Sequence, residues 1–158
     1  MRVVWLGRPA TSPYEREVET YRKRVQRRWP AEDRPLRPVT GGRTKDPDRV
    51  MRLEGDLMLR HLEPGWHVTA LDEAGSWCDS ESFASRLQGH EERGLPGVIF
   101  VIGSDLGLAS GLLDRADELL SLSSMTLPHQ IARLLLWEQL FRATNILNGG
   151  AYHRVSVQ

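Results

Sequence analysis

The residues Val98-Ile99-Phe100-Val101-Ile102 form an unbroken β-branched and aromatic run that stops at Gly103. A strand with one wet face alternates polar and apolar positions. A run without alternation must be covered on both faces, as in a parallel sheet with helices on each side. The rest of the chain must then supply flanking strands and helices for two faces. Residues 2–7, 36–40, 66–71 and 118–122 read as those strands, and Pro38 consigns the second of them to a sheet edge. Helical spacing recurs over 13–28, from Asp48 to about 62, from Ser80 or Ser82 to about 89, over 112–116, and over 128–144. Strands alternating with helices predict an α/β fold with a mostly parallel sheet. The 158 residues fit one domain, 1–158.

The last helix differs from the others. Ile131, Ala132, Leu134, Leu135, Leu136, Trp137, Leu140, Phe141 and Ala143 cover most of its circumference. A helix apolar nearly all round needs cover on both sides. The sheet can supply one side and a second copy of the chain the other, which predicts a homodimer built on the C-terminal helix; the other reading is complete burial within one chain.

The formal charge is zero, but it is unevenly spread. Residues 1–43 hold 11 Lys/Arg against 5 Asp/Glu, and the remainder 10 against 16. Phosphate contacts respond to the local field, not the total, so the basic first helix, with Arg22, Lys23, Arg24, Arg27 and Arg28, is a candidate nucleic-acid face. The other reading of that helix is a solvated charged surface. No apolar run approaches the roughly 18–20 residues of a membrane span. The N-terminal apolar run is shorter than a signal peptide's, so a cytoplasmic protein is expected. Cys78 is alone, and the five histidines show no ligand spacing; neither a disulfide nor a metal site is expected.

Three motifs carry possible chemistry. Gly103-Ser104-Asp105-Leu106-Gly107 follows the central strand at the edge where open α/β sheets bind ligands, although its spacing fits neither a dinucleotide fingerprint nor a phosphate-binding loop. The stretch Leu122-Ser123-Ser124-Met125-Thr126-Leu127-Pro128-His129 joins a strand to a helix, leaving amides and hydroxyls for a ligand. His129 by itself reads as a capping or packing residue. The tail Tyr152-His153-Arg154 combines an aromatic ring, an imidazole and a guanidinium, a set suited to stacking a base and holding a phosphate.

In this order the motifs are specific. The run LSLSSMTLPHQIARLLLWEQLFRATNILNGGAYHR, residues 120–154, resembles the C-terminal signature of the RlmH family: SPOUT-class enzymes that methylate N3 of a pseudouridine in helix 69 of 23S ribosomal RNA. Leu71-Asp72-x-x-Gly75 and the Ile102-Gly103 and Gly107-Leu108 pairs match as well. The resemblance implies a SPOUT-type α/β domain whose C-terminal segment forms a trefoil knot, a rare exception to the rules of chain connection. It implies S-adenosyl-L-methionine as cofactor, held by Leu71, Gly103, Leu122, Ser123, Ser124, Met125, Thr126 and Leu127. It further implies a homodimer acting on ribosomal RNA or the assembled ribosome, with Tyr152, His153 and Arg154 as catalytic residues across the dimer interface. His153 is the candidate for the imide proton, Arg154 for phosphate or the imide anion, and Tyr152 for stacking the base. The chain departs from the family at Ser104 and Leu106, where a glycine and an acidic residue are usual, and at Ala151, where a proline is. A Cβ at 104 is expected to crowd the pocket if that residue needs a positive φ. A divergent SPOUT enzyme on another RNA, and a catalytically silent RNA-binding relative, remain open on sequence alone.

Overall fold

A computed structural model describes residues 1–39 and 46–153. In it the central run is strand β4 (Val98–Ile102), and each of its five side chains is buried. Around it lie β1 (Arg2–Leu6), β2 (Glu32–Leu36), β3 (His67–Ser76) and β5 (Glu118–Leu120), in the order β2-β1-β4-β3-β5 with every pair parallel. The period-two geometry of a strand splits the core. Val3, Trp5, Phe100 and Ile102 face one layer, made by α1 (Glu15–Val25), α3 (Ser80–Glu92) and α5 (His129–Leu147). Val4, Leu6, Ile99 and Val101 face the other, where α2 (Pro47–Leu59) and α4 (Ser110–Leu113) pack.

Strand β2 lies four residues before the expected 36–40, and Thr40 falls outside the described residues. Its sequence, Glu-Asp-Arg-Pro-Leu, has no apolar alternation, so the pattern reads it as loop. Partners elsewhere hold it in the sheet. Arg2 Nε donates to Glu32 at 2.7 Å, and the indole N–H groups of Trp5 and Trp137 donate to Asp33 at 2.9 and 2.8 Å. Arg133, 1% exposed, donates to both Asp33 oxygens at 3.0 and 2.7 Å and to Glu15, with its guanidinium 4.0 Å from the Trp5 ring centre. Pro35 pairs with Trp5 at the sheet's edge, where a missing N–H is tolerated.

Other boundaries shift for identifiable reasons. Asp46, not Asp48, caps α2, accepting from Arg49 N at 3.0 Å with Pro47 in the first turn. Asp79 caps α3 ahead of the expected serines, accepting from Ser82 N at 2.7 Å. Strand β3 runs past the expected stop at 71 because Ser76 pairs again with Leu120 after a register shift. Gly75 permits this: a Cβ there would lie 2.7 Å from the Leu119 carbonyl carbon. The last helix buries Ala132, Arg133, Leu136, Trp137, Leu140, Ala143 and Thr144. With α1 and α3 packed along its flanks, one chain covers more of it than its composition suggests, and Leu134, Leu135 and Phe141 stay half-buried.

Candidate active site

Because the strands are parallel, the C-terminal ends of β3, β4 and β5 open at one sheet edge. They surround a cavity of about 650 Å³. Leu71, Gly103, Leu122, Ser123, Met125, Thr126 and Leu127 all line it, so seven of the eight expected cofactor residues converge. Ser124 does not; it lines an adjoining cavity of about 640 Å³, with Trp77, Ser80 and Gln139. Residues 122–127 belong to no helix or strand, leaving peptide groups beside the cavity outside any ladder.

The glycine loop is tight. A Cβ on Gly103 would lie 2.4 Å from the Gly107 carbonyl oxygen, and Gly107 has φ of +85°. Ser104 sits here without strain, since no non-glycine residue among those described has a positive φ. The expected crowding therefore does not arise. Its hydroxyl donates to Glu54 Oε2 at 2.8 Å and accepts from Leu106 N at 3.3 Å. Glu54 is 3% exposed, and its other oxygen accepts from Val39 N at 3.2 Å. The loop is thus pinned from behind by α2. At the front, Asp105 Oδ1 lies 2.9 Å from His129 Nδ1, supplying the histidine with the partner its sequence neighbours lack. Thr126 Oγ1 donates to Glu73 Oε2 at 2.6 Å, tying the third wall to the first.

The carboxylates of the wall are Asp72, Glu73 and Asp105, beside the His129 imidazole, and among the described residues no Lys or Arg lines it. Such a cavity suits a cationic ligand and disfavours phosphate.

Tyr152 is set apart from this cavity within one chain. Tyr152 packs on Phe141 with ring centres 4.7 Å apart, and the Arg142 guanidinium lies 4.8 Å from its ring centre. Its hydroxyl donates to Glu138 Oε1 at 3.1 Å. Burial, with hydrogen bonds to Tyr21 and Glu138, pushes its pKa up to about 12, so it stays a neutral phenol. Its ring is thus already stacked on its own helix. The His153 side chain and Arg154 lie outside the described residues. On α1 and the turn that follows it, Arg22 is tied to Glu19 and the Ala31 carbonyl, and Arg28 to Glu91 and Asn148, whereas Lys23, Arg24 and Arg27 are exposed.

Two histidines also meet, which their spacing hid. The His67 and His90 rings are 4.1 Å apart at the N-terminal edge of the sheet, with Glu118 beside them. Arg93 lies 2.6 Å from His90 Nδ1 and Arg86 binds Glu118, so guanidinium groups already engage these acceptors. Burial, then the neighbouring His67 and Arg93, lowers the His90 pKa.

A family model described as "Predicted SPOUT methyltransferase" matches residues 1–153. The chain belongs to the SPOUT methyltransferase family. It is 39% identical over 154 residues to the ribosomal RNA large subunit methyltransferase H of Rhodospirillum centenum, covering 96% of this chain and 98% of that one. It is 40% identical over 156 residues to the enzyme of the same name from an Anaeromyxobacter species, covering 98% and 99%. A probable methyltransferase of Bordetella pertussis shares the fold, with a TM-score of 0.56 at 17% identity, covering 90% of this chain and 94% of that one. Among the described residues, no helix is long and apolar enough to cross a membrane.

Proposed function

We propose that this methyltransferase transfers a methyl group from S-adenosyl-L-methionine to N3 of a pseudouridine in helix 69 of 23S ribosomal RNA, acting as a cytoplasmic homodimer. The observation that carries the reading is the cavity at the strand ends, in which Leu71, Gly103 and the 122–127 segment meet an acidic wall. The near full-length likeness to enzymes named ribosomal RNA large subunit methyltransferase H supplies the substrate class.

The donor brings an electrophilic methyl on a sulfonium, and the transfer is an in-line displacement that needs reacting atoms about 3–3.5 Å apart. The chain's part is to fix the donor, bring in the base and accept an imide proton. Gly103, and Ser104 held by Glu54, set the loop against the donor. Ser123 and the 122–127 backbone supply hydrogen bonds for its adenosine. In this reading a trefoil knot draws those two segments together. Tyr152, His153 and Arg154 act on the RNA of a partner copy: His153 takes the imide proton as general base, Arg154 stabilises the anion or holds phosphate, and Tyr152 leaves Phe141 to stack on the base. The half-buried strip of Leu134, Leu135 and Phe141 on α5 contributes to the dimer contact. Lys23, Arg24 and Arg27 face RNA phosphates, since among the described residues the cavity wall offers no Lys or Arg.

Tritium transfer from labelled S-adenosyl-L-methionine to assembled ribosomes, compared with naked ribosomal RNA and with tRNA, tests the proposal. Incorporation into the large-subunit RNA alone is expected. Transfer to tRNA would reassign the target, and donor binding without any transfer would mark a silent relative. His153→Ala is expected to lower the rate constant at saturating substrate near pH 7, and an unchanged rate would remove His153 as the base.

A further inference from the structure

The acidity of the cavity wall bears on more than donor entry. Methyl transfer changes the charge of the ligand inside the cavity. The donor carries a sulfonium, an ammonium and a carboxylate, hence one net positive charge. The product, S-adenosylhomocysteine, keeps the last two but has a neutral thioether, hence none. Shape and hydrogen-bonding groups are otherwise almost the same, so a pocket that separates the two must do so by charge or by the methyl itself.

Two of the wall's carboxylates are held as fixed charges. Asp105, at the tip of the glycine loop, is oriented by His129 at 2.9 Å; Glu73, on the β3 wall, is oriented by Thr126 at 2.6 Å. They stand on different elements around the same cavity, and among the described residues no Lys or Arg on its wall offsets them. We propose that Asp105 and Glu73 make the cavity select the cationic donor over its neutral-sulfur product, so that the attraction holding the ligand weakens when the methyl leaves. This rests on the S-adenosyl-L-methionine reading given above. Asp105 has an 85% exposed side chain, so its field acts through water and the selection is several-fold, not orders of magnitude.

Calorimetry on the full chain with S-adenosyl-L-methionine and with S-adenosylhomocysteine tests it. The wild-type chain is expected to prefer the donor by about three- to tenfold at low salt, with the preference shrinking as ionic strength rises. Asp105→Asn is expected to remove most of that preference by weakening the donor alone, and Glu73→Gln to act in the same direction. His129→Gln disturbs the Asp105 contact but keeps the carboxylate charge. It is expected to shift both ligands together and leave their ratio unchanged. Equal weakening of both ligands by Asp105→Asn, no change in either, or a ratio collapsed by His129→Gln would each overturn charge selection. Far-UV circular dichroism of each variant, matching the wild type, excludes misfolding as the cause. If the wild-type chain binds neither ligand, the cofactor reading itself fails, a result distinct from a lost ratio.

Discussion

His129 and Arg133 stand one turn apart on α5, and each reaches an aspartate on another element, yet the two pairs serve different ends. Arg133 is 1% exposed and is held by Asp33, Glu15 and the face of Trp5, with the indoles of Trp5 and Trp137 completing the aspartate's partners. His129 meets Asp105, whose side chain is 85% exposed at the lip of a cavity. A buried charge must have its partners saturated, or its desolvation goes uncompensated. A charge at a cavity mouth need only be held in place, and its field remains available to a ligand. One helix start thus fastens the fold and furnishes the site, and the depth of the aspartate separates the two tasks.

The contrast is sharpest at Asp33. Asp33→Ala leaves Arg133 buried with half its partners and two indole N–H groups unpaired; a loss of about 3–5 kcal/mol in urea unfolding is expected. Asp105→Ala is expected to leave the unfolding midpoint within about 0.5 kcal/mol of wild type, as for surface changes generally. Equal losses at the two positions would break the distinction. Ser104→Ala is intermediate: it removes a donor from the buried Glu54 carboxylate, and about 1–2 kcal/mol is expected, together with weaker donor binding as the loop is released from α2.

Acidity offers a milder probe, directed at the opposite sheet edge. His90 has its pKa lowered below the ordinary 6.5 by burial, then by His67 and Arg93, and His61 is lowered by burial and by Arg34 and Arg2. Below pH 6.5 the unfolded chain binds protons that the folded chain refuses, so stability falls with pH from that point down through the folded pKa values and is complete above it. The melting temperature is expected to drop on acidification from pH 7, with a shallower slope in His90→Gln. The smallest effect belongs to the exposed Lys23–Glu19 pair, where Lys23→Ala is expected to cost about 0.3–0.5 kcal/mol.

What could be read from the chain follows the same division by depth. The 98–102 run declared a strand covered on both faces, and the helices that cover it kept their 3.6-residue pattern. Strand β2 was misplaced because four of its five residues are charged or proline; its membership depends on Arg2, Trp5 and Arg133, which no local pattern includes. The segments expected to hold a cofactor carry a family signature, and seven of the eight residues named from it converge at one parallel edge. The Asp105–His129 contact joins residues 24 apart and the His67–His90 contact residues 23 apart in sequence, so both are products of tertiary folding. Glu54 gave no signal beyond a carboxylate in a helix, and only its burial behind Ser104 marks it.

Strand β2 also bears on how copies of this chain avoid aggregating. An open five-stranded sheet has two margins, each a row of peptide groups that could recruit a strand from a neighbour and propagate into aggregates. Here one margin is Glu32-Asp33-Arg34-Pro35-Leu36, interrupted by an imino acid and studded with charge, and the other is only three residues long. Neither is a good template for cross-strand recruitment. The proposed homodimer is thereby left to the helical faces, where association would close after two copies instead of growing without end.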